Sequence, residues 1–205
     1  MCAFKKDKYK IIKKAVSPEL SEFLSNYLLC KKEVYMTMSR DRFIPFDSNE
    51  MGTMDDGQVS GAFSIYGDPA FDVLLQKLLP LTAKELDLEL IPTYSYTRSY
   101  SKGQQLVKHK DRKACDISTT LNLGGDPWPI YFLINKKKVR VDLSPGDMVA
   151  YRGEKIIHWR DAFEGGYCNQ VFLHYNFKKG RLYDTRPHLG LPTNFVKIKD
   201  PTSAP

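Results

Sequence analysis

Only four histidines occur among the 205 residues, at positions 109, 158, 174 and 188, and one of them stands two positions from an acid, in His109-Lys110-Asp111. Residues two apart on an extended segment point to the same side, so this imidazole and this carboxylate can take adjacent positions on one ion. His158, much later and on another strand, can supply a third ligand. Two imidazoles and one carboxylate on one face of an octahedral ion leave three positions open, which suits non-haem iron(II) and oxygen activation; zinc prefers a tetrahedral site with one open position. By itself His-x-Asp is a weak signal. His174 shares strand parity with Gln170 and Phe172, but a single histidine on an apolar strand is the usual setting of a core residue. His188 lies in a loop near the tail with no ligand-spaced neighbour. Neither is counted among the ligands.

The elements that must position these side chains fall into two kinds. Ser17-Pro18-Glu19 reads as a helix start, with a helix expected to about Cys30 and Leu20, Phe23, Leu24, Tyr27 and Leu28 on one apolar face. Asp68-Pro69 opens a second helix carrying Phe71, Leu74, Leu75, Leu78 and Leu79, which Pro80 is expected to kink or end before Leu81 to Leu86 resume the pattern. Between them, Arg40 to Gly61 is a long polar loop, expected at the rim of a site. From Leu88 onward the pattern is that of strands. Thr93 to Tyr100 alternates, placing Tyr94, Tyr96, Arg98 and Tyr100 on one face. Further strands are expected at 117–123, 130–134, 138–143, 147–151, 155–159 and 170–177, separated by turns such as Asn135-Lys136-Lys137 and Ser144-Pro145-Gly146. Two helices followed by about seven strands argue for an α+β domain in which helices buttress an antiparallel barrel or jelly roll. With 42% hydrophobic residues the chain can bury one sizeable core and is short for two.

The net charge of +7 is compatible with an acidic partner, but it is dispersed over Lys5 to Lys14, Lys136 to Lys138 and Lys178 to Arg181, without aromatic interleaving. Solvated surface is the better reading. Cys2, Cys30, Cys115 and Cys168 show no Cys-x-x-Cys spacing and no apolar signal core follows the amino-terminal charges, so a reduced, cytoplasmic setting is expected. No apolar run approaches the roughly 20 residues that cross a bilayer, so a soluble protein with no membrane association is expected.

The run Tyr100-Ser101-Lys102-Gly103-Gln104-Gln105-Leu106-Val107-Lys108-His109-Lys110-Asp111, with Ser118-Thr119-Thr120-Leu121-Asn122-Leu123 after it, resembles the first half of a prolyl-4-hydroxylase-type 2-oxoglutarate oxygenase core. Leu143 to Tyr151 and His158 to Phe177 resemble its second half, so the likeness covers about Tyr94 to Phe177. The wording Pro92-Thr93-Tyr94-Ser95-Tyr96 and His158-Trp159-Arg160-Asp161 is similar to a bacterial and phage branch. The resemblance implies a double-stranded β-helix of the cupin-like, jelly-roll kind, with helical support over about 1–90, the barrel over about 91–180 and a tail from 181 to 205. It implies iron(II) on His109, Asp111 and His158, 2-oxoglutarate and dioxygen as co-substrates, ascorbate as an optional reductant, and hydroxylation of a C–H bond. Asp111 argues against the halogenase variant, which leaves that carboxylate position empty for chloride. A peptide or protein residue is the favoured substrate, with a free amino acid or small metabolite next. Nucleic-acid demethylation and a catalytically silent metal-binding barrel stand as rivals. Oligomeric state is left open.

Members of this family hold the distal carboxylate of 2-oxoglutarate with a Lys or Arg about nine to eleven positions after the distal histidine, where this chain has Tyr167, Cys168 and Asn169. A buried carboxylate needs a charge partner or several hydrogen bonds. Arg160, two residues after His158 on the same strand, is the first candidate; Arg98, facing inward with the tyrosines, is the second, and Arg112 the third. The alternative for each is pairing with a structural carboxylate such as Asp161 or Asp116. By resemblance Tyr100 contributes a hydroxyl to the co-substrate and Thr120 lines the opposite wall; a buried phenol can equally be satisfied core.

Overall fold

The structure, a computed structural model, describes residues 4, 7–44, 50–54, 56–113, 115–179, 186 and 188–191. Helix α1 (Pro18–Arg40) begins where its residues require it: the Ser17 side chain accepts from the Leu20 amide at 3.3 Å and Pro18 needs no donor in the first turn. It continues past Cys30 to Arg40, because that stretch holds no Gly or Pro and Tyr35 buries against Phe63, ring centroids 5.5 Å apart. Phe23 is 63% exposed, so the buried stripe is narrower than expected and centres on Leu24 and Leu28. Helix α2 (Pro69–Leu86) is capped by Asp68, which accepts from the Ala70 amide at 2.9 Å. It runs through Pro80 and ends at Asp87 in the left-handed conformation, φ 54°. One lost backbone donor costs less than burying Leu74, Leu75, Leu78 and Leu86 gains, at roughly 1.5–3 kcal/mol each.

Among the described residues, ten strands form two antiparallel sheets. Strands β1 (Tyr9–Ile12), β2 (Phe63–Tyr66), β3 (Leu90–Ser101), β5 (Ile117–Gly125), β8 (Met148–Tyr151) and β10 (Tyr167–Phe177) make the major sheet in the order β1-β8-β5-β10-β3-β2. Strands β4 (Leu106–His109), β6 (Ile130–Ile134), β7 (Lys137–Val141) and β9 (Ile157–Arg160) make the minor sheet in the order β4-β9-β6-β7. The architecture is thus the expected jelly roll with helical buttress. Three strands fall outside the seven expected: β4, which takes an edge of the minor sheet, and two in the amino-terminal part. β1 lies inside a stretch whose lysines alone read as solvated surface, and β2 follows the long loop before α2 begins; each takes an edge of the major sheet. No helix among the described residues is long and apolar enough to cross a membrane. Apart from Arg186 and 188–191, the tail from 181 to 205 lies outside the described residues, as does Cys2.

Period-two alternation divides the major sheet into a dry face and a chemical face. Leu121, Leu123, Val171, Leu173 and Tyr175 pack with Leu24, Leu28, Phe71 and Leu75 of the helices. The alternate residues of β3, β5 and β10, among them Tyr94, Tyr96, Arg98, Thr120, Gln170 and His174, point toward the minor sheet. Polar ties fix the helices to this frame: Ser95 donates both its amide (3.1 Å) and its hydroxyl (2.7 Å) to the buried Asp72 of α2, and Asn169 donates to Ser25 of α1 at 2.9 Å. Truncating Leu75, fully buried between layers, would cost about 2–5 kcal/mol.

Candidate metal centre

The site is aimed by an irregularity in β4. Leu106 pairs with Arg160 and His109 with His158, so three steps on β4 span two on β9, and one extra residue bulges out between them. A regular strand would have sent Leu106 and His109 to opposite faces; the bulge turns both inward. On β9 the alternation is regular. His158 and Arg160 face in, while Trp159 faces out, stacked on Tyr131 at 5.6 Å between ring centroids.

Backbone carbonyls fix both imidazoles. His109 Nδ1 donates to Val107 O at 2.8 Å and His158 Nδ1 to Ile156 O at 3.0 Å, which leaves each Nε2 free to face Asp111 Oδ1, 3.5 Å from both. Asp111 follows β4 and is tied by its amide to Gly153 O at 3.0 Å, while Ser118 Oγ donates to its Oδ2 at 2.5 Å. Gly153 has a steric reason to be glycine, because a Cβ there would overlap Asp111 Oδ2 and Ser118 Oγ. Burial would raise the Asp111 carboxyl, but the His109 and His158 rings beside it hold it well below the usual range, so it is ionised. One donor atom from each of His109, Asp111 and His158 lies within 4.8 Å of the others. Two nitrogens and one anionic oxygen, each braced from behind, fit a divalent ion of the iron(II) class.

These residues line a cavity of about 350 Å³. Arg98 lines it, as do Tyr94, Tyr96, Arg112 and His174. The Arg98 guanidinium is held by Asp56, Nε to Oδ2 at 2.6 Å and Nη2 to Oδ1 at 3.0 Å, and by Gln58 Oε1 at 2.6 Å. It is therefore paired with a structural carboxylate, though with Asp56 of the long loop rather than Asp116 or Asp161. Arg160 lies one layer deeper, behind the lining, 2% exposed. It donates to Trp128 O and, at 3.4 Å, to Gln170 Oε1, lies over the Trp128 ring at 5.0 Å, and its Nε has no partner. None of these partners carries a charge. Arg112 stacks on Tyr94 at 4.5 Å and donates to its hydroxyl at 3.2 Å.

Tyr100 and Thr120 are fully buried and do not line the cavity. Tyr100 packs edge-on against Trp128 and its hydroxyl meets Arg98 at 3.4 Å. His174 lines the cavity; burial, partly offset by Asp111, pushes it down to about 4, so it is neutral. His188 is exposed beside Leu189. Several residues at the site carry no sequence signal of their own. Tyr151, whose hydroxyl is 3.3 Å from His158 Nε2, and Ser118 lie in strands that the resemblance covers, yet only spatial pairing of β5 with β8 brings them to the triad. Asp56 and Gln58 bear out the long loop as the cavity's rim.

No protein-family model matches the chain, and no curated protein sequence matches it. Solved structures do. A prolyl-4-hydroxylase from Pseudomonas putida superposes with TM-score 0.62 at 13% identity, covering 88% of this chain and 100% of that one. HygX from Streptomyces hygroscopicus, with nickel, 2-oxoglutarate and hygromycin B bound, gives 0.63 at 11% identity, covering 86% of each chain. EctD from S. alaskensis with bound Fe gives 0.61 at 14% identity, covering 94% of this chain and 82% of that one. The chain has the double-stranded β-helix fold of these proteins.

Proposed function

We propose that this chain is a non-haem iron(II), 2-oxoglutarate-dependent oxygenase that hydroxylates a C–H bond, prolyl-hydroxylase-like, on a peptide or protein residue or an amino acid. The observation that carries the reading is the convergence of His109 Nε2, Asp111 Oδ1 and His158 Nε2 in the lining of a cavity. The shared fold with metal- and 2-oxoglutarate-binding proteins supports it.

Iron(II) held by His109, Asp111 and His158 would let dioxygen act as the oxidant, with 2-oxoglutarate and the substrate C–H bond each giving up two electrons. The chain's own residues supply position and charge. Val107 and Ile156 carbonyls orient the imidazoles, and Ser118 with the Gly153 backbone fixes the carboxylate. Arg160 is the anchor for the distal carboxylate of the co-substrate: its cation is buried without an anion, and a dianionic ligand between it and the metal would leave the site near neutrality. Arg98, already neutralised by Asp56, shapes the wall.

The cavity, about 350 Å³, stands at the small end of ligand pockets. Co-substrate plus one side chain or a small metabolite suits that size better than co-substrate plus an extruded base, which disfavours the nucleic-acid reading. Against a silent barrel stands Arg160, whose charge meets only the Trp128 face and neutral acceptors and no carboxylate among the described residues.

The test is anaerobic addition of 2-oxoglutarate to the iron(II)-loaded protein, read as a visible metal-to-ligand charge-transfer band. A band that is lost in Asp111→Ala and weakened in Arg160→Ala is expected, followed by succinate formation in air. No band in the wild type would overturn the reading in favour of a silent metal-binding barrel.

A further inference from the structure

A second set of metal-ligating atoms adjoins the first. Asp111, Cys115 and His174 each offer one donor atom, all within 4.8 Å of one another. Cys115 is fully buried with a free thiol, and His174 is 7% exposed. His174 Nδ1 is buried with no hydrogen-bond partner, which in a protein interior marks a polar atom waiting for a ligand. Stacking on Tyr94, ring centroids 4.4 Å apart, fixes the plane of the imidazole. The Tyr94 hydroxyl, 3.1 Å from Cys115 Sγ, adds an oxygen at the edge of the group.

We propose that Asp111, Cys115 and His174 form a second, thiolate-containing position for a thiophilic divalent cation of the zinc class, overlapping the His109–Asp111–His158 position through the shared carboxylate. Sulfur, imidazole and carboxylate are a zinc-type set, and a tetrahedral shell needs the donors to close by about an ångström. Charge favours it: a dication balances one carboxylate and one thiolate, giving a neutral buried group. The thiol proton is released to solvent on binding. Burial raises the Cys115 thiol, to about 11, so the ion itself must drive deprotonation, aided by the neighbouring Arg112. Two dications drawing on one carboxylate repel, so each position weakens the other. The inference does not rest on oxygenase activity.

Cobalt(II) added to the metal-free protein under anaerobic conditions tests it. The His109→Ala variant, with the first triad broken, is expected to show a near-ultraviolet thiolate-to-cobalt charge-transfer band, and His109→Ala with Cys115→Ser to lose it. His109→Ala with His174→Asn should need at least ~10-fold more cobalt for the same band. Zinc-edge X-ray absorption of the His109→Ala protein should independently find one sulfur among the zinc ligands, without requiring a cysteine variant to fold. Absence of sulfur from that spectrum, or a cobalt band that survives Cys115→Ser, would overturn the proposal and leave the oxygenase reading as it stood.

Discussion

Two arginines on the chemical faces of the two sheets are buried to a similar degree, yet they live in opposite electrostatic circumstances. Arg98 opens onto the cavity, and its charge is matched by Asp56 with Gln58 and Tyr100 completing its hydrogen bonds. Arg160 has no carboxylate among its partners, one nitrogen without any partner, and the face of Trp128 against its plane. Because a buried cation is costly unless paired, the first arrangement is complete as it stands, whereas the second gains from an incoming anion. The two arginines thus differ in the state of their charge as well as in their access to the cavity, which Arg98 lines and Arg160 does not.

The contrast can be broken by removing each cation. Arg98→Leu should destabilise the fold by about 3–5 kcal/mol in urea unfolding, because Asp56 is left buried without a countercharge, its remaining donors being the Tyr96 hydroxyl and the Gln58 and Val59 amides, and Asp56→Asn in the same chain should recover part of the loss. If Arg98→Leu is instead near neutral, the pair is not the structural element argued here. Arg160→Leu should reverse the pattern. Stability should be held or improved, while truncating one side of a buried charge pair should weaken 2-oxoglutarate binding by about 2–5 kcal/mol, at least ~30-fold in Kd by calorimetry on the iron(II) protein. An unchanged Kd would return the anchor to Arg98 or Arg112.

The neutral His174 sharpens the same rule by pH. Its folded value is pushed down to about 4 by burial, against about 6.5 when unfolded, so its contribution is fully present above 6.5 and is lost as pH falls through 4. Between those limits the wild type should lose about 3 kcal/mol more than His174→Phe does, measured by unfolding at stepped pH. The smallest effect is expected behind the triad. Ser118→Ala removes the 2.5 Å bond that steadies Asp111 and should weaken metal affinity by ~10–100-fold with the fold intact, as read by metal titration.

Much of this was legible in order along the chain. The caps at Ser17 and Asp68, the alternation of Tyr94, Tyr96, Arg98 and Tyr100, and the pair His109-Lys110-Asp111 are local patterns that a linear reading finds, whereas the weight given to His158 beside them came from the family resemblance. The end of α1 was not, because a stretch of charged residues without breakers looks the same in a helix as in a loop until Tyr35 finds Phe63. The strand β1 was hidden by Lys10 within it and the lysines around it, since edge strands tolerate charge.

The sequence by itself determined the kinds of element, the residues able to ligate an ion and the face on which the arginines lie, because caps, periodicity and side-chain chemistry act over a few residues. Only the tertiary structure decided that a bulge in β4 turns His109 toward His158, that Asp56 from the long loop neutralises Arg98 but leaves Arg160 alone, and that Cys115 and His174 come close to the Asp111 carboxylate. Those outcomes depend on which strands pair and in what register, and pairing between segments far apart in the chain leaves no mark in either segment alone.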